Sequence, residues 1–384
     1  MANKYWQGGA AKVAQTRTYA FGATWEATDI IRVTIGTRSY DFVAGSTTIA
    51  TVLTNLVAAW TALNSSLFPE FYELIPTADA TTLTLTARTP GVPFTCTLTP
   101  LETNGAGSDS QTIAGGTTAT TGTAGVSNSS PNDGSIAANW GGGAPADGDT
   151  IIFADNAVDL LDGLDFSSMN LNVIQYNSFT GKIGRPTTNP AGYPEYRRTY
   201  LRIGTDDTPA QYVTLGLGAG NGSGRIKIDA GASATHFVVH NTGNPADAGF
   251  PAVSLKGTDA ANTLVVNKGT VDFATGGYDI AAAAEETGTL ATLSIGYVSN
   301  PLGDAVVEIG AGVAVTTVDM SGGKLTLNSG ATTITKTNGE LTLAGGSAAA
   351  AVTVTTLNER GGTTYVVGNT TITTPNVSNN GHMD

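Results

Sequence analysis

Between Val315 and Thr373, apolar residues alternate with threonine in runs of three to five, and glycine or asparagine closes each run. Period-two alternation predicts half-buried strands, and Gly-Gly or Asn-Gly predicts tight turns. Gly323-Lys-Leu-Thr-Leu and Gly339-Glu-Leu-Thr-Leu form a near repeat sixteen residues apart; the next Gly-Gly, at 361–362, follows about twenty residues later. Such spacing is expected where one coil of a solenoid stacks on the last. Antiparallel hairpins give the same local pattern, so a sandwich or meander is the alternative. The parallel β-helix is favoured because the turns follow very short strands and no long amphipathic helix occurs after residue 64. Coil stacking also suits ladders of like residues, and threonine is the residue that recurs.

Taken in order, the chain divides into four parts. Residues 1–18 are a polar arm in which Tyr5 and Trp6, beside Gly8-Gly9, are placed to dock on something apolar. Residues 19–101 predict a small α+β domain of order ββαβββ. Ile31, Val33 and Ile35 alternate with polar residues, and Tyr40 and Phe42 return. A helix capped by Ser46 or Thr47 then carries Ile49, Val52, Leu53, Leu56, Val57, Trp60 and Leu63 on one face. Phe71–Ile75, Leu83–Ala87 and Val92–Leu98 read as strands. Residues 102–135 form a Gly/Thr/Ser-rich linker, or a strand held by a partner, since they carry almost no large apolar side chain. Residues 136–384 predict the β-solenoid, with Trp140 as the plug of its open end. Its most chemically diverse loop, Arg185–Tyr200, holds Tyr193, Tyr196, Arg197 and Arg198. The predicted class is mainly β: a small α+β N-terminal domain followed by a parallel β-helix.

Composition agrees with a turn-rich β protein. Of 384 residues 49 are glycine, and 13% are charged where about 25% is usual. Eighteen basic against thirty-one acidic residues give a net charge of −13, which opposes binding to a phosphate backbone or an anionic membrane. Cys96 is the single cysteine, so a disulfide within the chain is excluded; it lies in an alternating run and reads as a buried thiol. Met1–Gly9 has no apolar signal region and no eighteen-residue apolar run exists, so the expectation is a chain made and left in the cytosol.

Candidate chemistry is sparse. Asp159, Asp162 and Asp165 lie close together and Asp206-Asp207 is a pair, but both groups sit in turn contexts where aspartate bonds to its own backbone. His236 and His240 share a strand face with no third ligand nearby. Gly-x-Ser-x-Gly, Walker-type and dinucleotide fingerprints are missing. The expectation is a protein with no catalytic residues, no cofactor and no metal.

Val13-Ala-Gln15, Trp25-Glu26-Ala-x-Asp-Ile30, Pro69-Glu-Phe71, Ala87-x-Thr-x-Gly-Val-Pro-Phe94 and Ser130-Pro-Asn-Asp133 with Asn139-Trp140 together resemble a module of tailed-bacteriophage virion proteins and some bacterial surface proteins. The resemblance covers about residues 10–155 and rests on turn and packing residues. The following solenoid is similar in style to β-helices of phage decoration proteins, tailspikes and autotransporter passengers. The resemblance implies a non-enzymatic virion structural protein, assembled in the host cytoplasm, that decorates or stabilises the outside of a capsid. Its partner would be the major capsid protein or another virion protein, and its oligomer a homotrimer. Tyr5, Trp6, Tyr193, Tyr196, Arg197 and Arg198 are the candidate partner-binding residues. The alternative is a tail spike, fibre or adhesin that binds host carbohydrate through the Arg185–Tyr200 loop; sparse aromatics between 201 and 384 disfavour it.

Overall fold

The computed structural model describes the chain apart from residues 1, 37, 64, 103–110, 185–199, 205–209, 221–224, 243–250, 276–285, 297–304, 345–350 and 379–380. Strand accounts for 51% and helix for 6%, so the protein is mainly β. It forms two compact units. One comprises Met1–Gly9, Asn132–Thr187 and Arg197–Asp384; the other holds Ala10–Pro131 with 188–196.

The first unit contains two long parallel sheets, consistent with a β-solenoid. Among the described residues one sheet has twelve strands and the other ten, and from Thr150 onward the chain mostly alternates between them. The near repeat read in the sequence stacks in register: Lys324 pairs with Glu340, Leu325 with Leu341, Thr326 with Thr342 and Leu327 with Leu343. Lys324 Nζ lies 3.1 Å from Glu340 Oε2, so the one charge difference between the repeats becomes an ion pair between adjacent strands. The glycines that precede them have φ near +73° and +92°. A Cβ on Gly339 would meet the carbonyl oxygen of Gly323 at 2.6 Å. Only glycine fits where the backbone turns left-handed and the neighbouring turn approaches so closely.

The inner faces of both sheets supply one continuous apolar core from Trp6 to Leu357. In the strands Thr287–Ile295, Gly312–Met320, Ala331–Lys336 and Val352–Glu359 strict alternation breaks at one point, where two adjacent residues face away from the core between two buried ones. Threonine pairs fill this place repeatedly: Thr316-Thr317 between Val315 and Val318, Thr332-Thr333 between Ala331 and Ile334, Thr355-Thr356 between Val354 and Leu357. Thr263, Thr292, Thr317, Thr333, Thr356 and Thr374 consequently stack as one column across six strands. One inward column carries charge. Lys336 follows Met320 and pairs with Glu359 at 2.7 Å, both side chains fully buried; Glu359 also accepts the Thr364 hydroxyl.

The second unit is built around the helix Ile49–Thr61, which buries Val52, Leu53, Leu56 and Trp60. These pack with residues such as Tyr19, Trp25, Ile31, Val33, Phe42, Phe71, Leu85 and Leu98 in a separate core. The strands form two antiparallel groups: Arg38–Val43, Ile30–Ile35 and Cys96–Leu101 in one, and Leu74–Ala78, Thr82–Ala87, Thr16–Gly22 and Thr112–Ile113 in the other, with Thr123–Ala124 also on Thr16–Gly22.

Several expectations need correction. The helix is preceded by Thr48, not Ser46 or Thr47, and it ends at Thr61; Ser46 instead accepts the Thr48 amide through Oγ. Phe71 lies in a short helix, Pro69–Tyr72, not in a strand, because Pro69 has the φ a first helical turn needs and no amide to satisfy. The arm is divided as well. Asn3–Trp6 is a strand of the twelve-stranded sheet, antiparallel to Trp140–Gly141 and parallel to Thr150–Phe153, whereas Thr16–Gly22 belongs to the helix-bearing unit. Of the tract 102–135, Thr112–Ile113 and Thr123–Ala124 pair with this chain's own Thr16–Gly22 rather than with another subunit.

Candidate functional site

The candidate partner-binding residues separate by burial. Trp6 is 1% exposed, and its ring meets Trp140 at 5.0 Å and Phe153 at 6.5 Å. Its Nε1 donates to the Val158 carbonyl at 2.8 Å, and Trp140 donates to Gly134 at 2.7 Å. Both indoles thus bury their rings in the end of the apolar core while their single donors are satisfied by backbone. Trp6 is therefore a plug of its own core and is removed as a contact residue; alternation puts it inward as soon as Asn3–Trp6 joins the sheet. Tyr5, one residue earlier, points the other way and is 45% exposed. Tyr193, Tyr196, Arg197 and Arg198 lie outside the described residues, as does Asp206-Asp207.

Only Tyr200 of the predicted loop is described, and it is buried. Its hydroxyl donates to Glu286 Oε2 at 3.1 Å, and Lys256 Nζ lies 3.7 Å from Glu286 Oε1. Burial, reinforced by the Glu286 charge, raises the Tyr200 hydroxyl above its ordinary pKa. Lys256 ends a charged column on the ten-stranded sheet. Asp165 pairs in register with Arg202, Arg202 with Asp229, and Asp229 with Lys256, an alternation of sign along four strands. Arg202 is 3.3 Å from Asp165 and 3.8 Å from Asp229. Here the sheet carries an open groove of 390 Å³ lined by Ser167, Arg202, Gly204, Asp229 and Gly231.

The neighbouring column runs Lys227, Ser254, Asp272, Glu308. Asp272 is fully buried. Desolvation pushes its carboxyl up to about 6, against hydrogen bonds from Ser254 and Thr275 that favour the anion; nearby Glu308 and Glu286 raise it further. A carboxyl whose pKa is raised in this way can serve acid–base chemistry. Asp272, however, is 1% exposed, so it has no open approach for a substrate. Sequence spacing does not reveal this column, because its members are 18 to 36 residues apart; the signal is a lone charge within the apolar run Val271-Asp-Phe273.

Asp159 and Asp165 both accept hydrogen bonds from backbone amides, Asp165 locally and Asp159 from a residue 23 positions on. Asp159 accepts the Lys182 amide and Asp165 accepts the amide and hydroxyl of Ser167. His236 bonds through Nδ1 to Thr263 and stacks on Tyr212 with ring centroids 5.2 Å apart; Tyr212 is 56% exposed. At the far end of the stack, Thr370–Val377 and Gly381–Met383 are the last strands of their sheets. Ile372, Pro375 and Val377 stand in register with the buried Val354, Leu357 and Glu359, yet Pro375 and Val377 are exposed. Tyr365, Val366 and Val367, on the strand Gly362–Val367 of the other sheet, are exposed too. Among the described residues, no helix is long and apolar enough to cross a membrane.

No protein-family model, no curated protein and no solved structure matches the chain.

Proposed function

We propose that the chain is a structural component of a tailed-phage particle, a parallel β-helix joined to an α+β module, which binds the outer surface of the capsid and reinforces it without catalysis. The observation that carries a binding role is exposed apolar surface on the strands Gly362–Val367 and Thr370–Val377. Val366, Val367 and Val377 present large apolar side chains there, and Pro375 is exposed as well. Apolar surface of this kind marks contact sites. The phage setting and the major capsid protein as partner come from the resemblance of residues 10–155, and a homotrimer is the oligomer that it suggests. The test is cosedimentation of the purified chain with particles that lack it, compared with Val367→Lys and Val377→Lys. Wild-type protein is expected on the particles, with both variants largely in the supernatant. Equal occupancy by all three proteins would place the contact elsewhere.

A second reading, carbohydrate binding by a spike or adhesin, is favoured by the exposed Tyr212 stacked on His236. Aromatic faces of this kind suit sugar rings. Glycan binding lost in Tyr212→Ala, with particle binding absent, would select it.

A further inference from the structure

A corner of the helix-bearing unit gathers three carboxylates. Asp29 closes the turn before the strand Ile30–Ile35: its amide donates to the Glu26 carbonyl, and its Oδ2 accepts the Glu26 amide at 2.7 Å. The residue is completely buried. The antiparallel ladder pairs Ile30 with Leu101, so the next step of the same register sets Asp29 opposite Glu102. Glu26 reaches this corner through the turn. One carboxylate oxygen from each of the three lies within 4.8 Å of the others. Asp29 Oδ1, fully buried, accepts no hydrogen bond.

Directly opposed like charges are destabilising in an antiparallel pair, and a buried carboxylate oxygen without a partner is costlier still. Burial foremost, then the charges of Glu102 and Glu26, raise the Asp29 carboxyl above its usual range, against the Glu26 amide that favours its anion. A cation beside the buried Asp29 Oδ1 would offset both costs. We propose that Glu26, Asp29 and Glu102 form a calcium-binding site that ties the turn at 26–29 to the end of the strand Cys96–Leu101. The donors are all hard oxygens, with no imidazole or thiolate among them, which selects against zinc and copper. Calcium, with ligands at roughly 2.3–2.6 Å and a tolerant geometry, spans oxygens spaced in this way and completes its shell with water or carbonyl oxygen; magnesium demands a near-octahedral set.

The experiment uses the full chain stripped with a chelator, titrated with calcium chloride by calorimetry and melted with and without the ion. Calcium is expected to bind and to raise the melting temperature, magnesium to do so far less. Glu102→Gln is expected to weaken calcium binding by more than about tenfold and to lose the thermal response. Glu26→Gln, in the half-exposed turn, gives the same readout if the Glu102 variant does not fold. Absence of heat and of any thermal shift in the wild type overturns the site, as does an equal shift in wild type and variants. A Glu102→Gln protein more stable than a calcium-insensitive wild type would instead identify a proton shared by Asp29 and Glu102.

Discussion

Asp272 is the residue whose environment departs furthest from what its neighbours in sequence suggest. Its carboxyl titrates near 3.8 when unperturbed and about 6 in the fold, chiefly because burial disfavours the anion. Below the lower value both states hold the proton and the site costs nothing. As pH rises, the unfolded chain releases its proton first, so stability falls through the interval from about 4 to 6 and stays lower above it. Each pH unit between the two values corresponds to about 1.4 kcal/mol, so the cost above the interval is on the order of 3 kcal/mol. Ser254 and Thr275 bond to the carboxyl, Glu308 and Glu286 oppose its ionisation, and Lys227 stands in the same column. Asp272→Asn should therefore raise the urea midpoint at about pH 7 and leave it nearly unchanged at about pH 3.5. A gap of constant size across that range would mean that packing, not ionisation, distinguishes the two proteins. Locally only the lone charge within Val271-Asp-Phe273 is legible; its partners come from strands that sequence spacing does not pair. Cys96 is the contrasting case. Alternation alone indicates a buried thiol, and burial pushes it up to about 12.

Among elements, the strands were the most legible and their partners the least. The near repeat at Gly323 and Gly339 contains its own register, since identical Leu-Thr-Leu faces must overlap for both leucines to reach the core. The doubled threonines are visible in the sequence too, yet a pure period-two reading misses them because they mark the place where that period fails. The strand Asn3–Trp6 could not be assigned from its neighbours at all, since it pairs with residues more than 130 positions away. Four residues with one inward tryptophan look like an arm until the second tryptophan of the plug is beside them. The structure makes Trp6 a core residue, and truncation should show it. Trp6→Ala should cost about 3–5 kcal/mol in the stability of the parallel unit, as for other large core truncations. Tyr5→Ala, on the outward side of the same strand, should stay within about 0.5 kcal/mol. Denaturant unfolding followed by circular dichroism separates the two. Equal, small effects would mean that Trp140 and Phe153 close the core without Trp6.

At the scale of the whole molecule, the course of the chain is that of an insertion. Met1–Gly9, Asn132–Thr187 and Arg197–Asp384 belong to the parallel unit, and Ala10–Pro131 lies between the first two of these with a core of its own. The joining points are close: the amides of Gln7 and Gly8 both donate to the Asn139 carbonyl, and Trp6 pairs in register with Trp140. A short connection can therefore replace the insertion without stretching the strand Asn3–Trp6. Joining Gly9 to Asn132 through a few glycine and serine residues should give a protein that unfolds cooperatively, since every strand of both parallel sheets is retained. Simple truncation to 132–384 should be much less stable, because it removes the strand that carries Trp6 and reopens the end of the core. Residues 10–131 alone should also fold, with Trp60 and Trp25 protected from quenchers. Thermal unfolding of the three proteins, set beside the full chain, decides the matter. If the joined protein melts no better than the truncation, the two units depend on each other for stability, and the separate cores do not correspond to separate folding units. If it folds as expected, the same pair of proteins assigns particle binding to one unit. The exposed apolar side chains of Val366, Val367 and Val377 predict that the joined protein binds particles and that residues 10–131 do not.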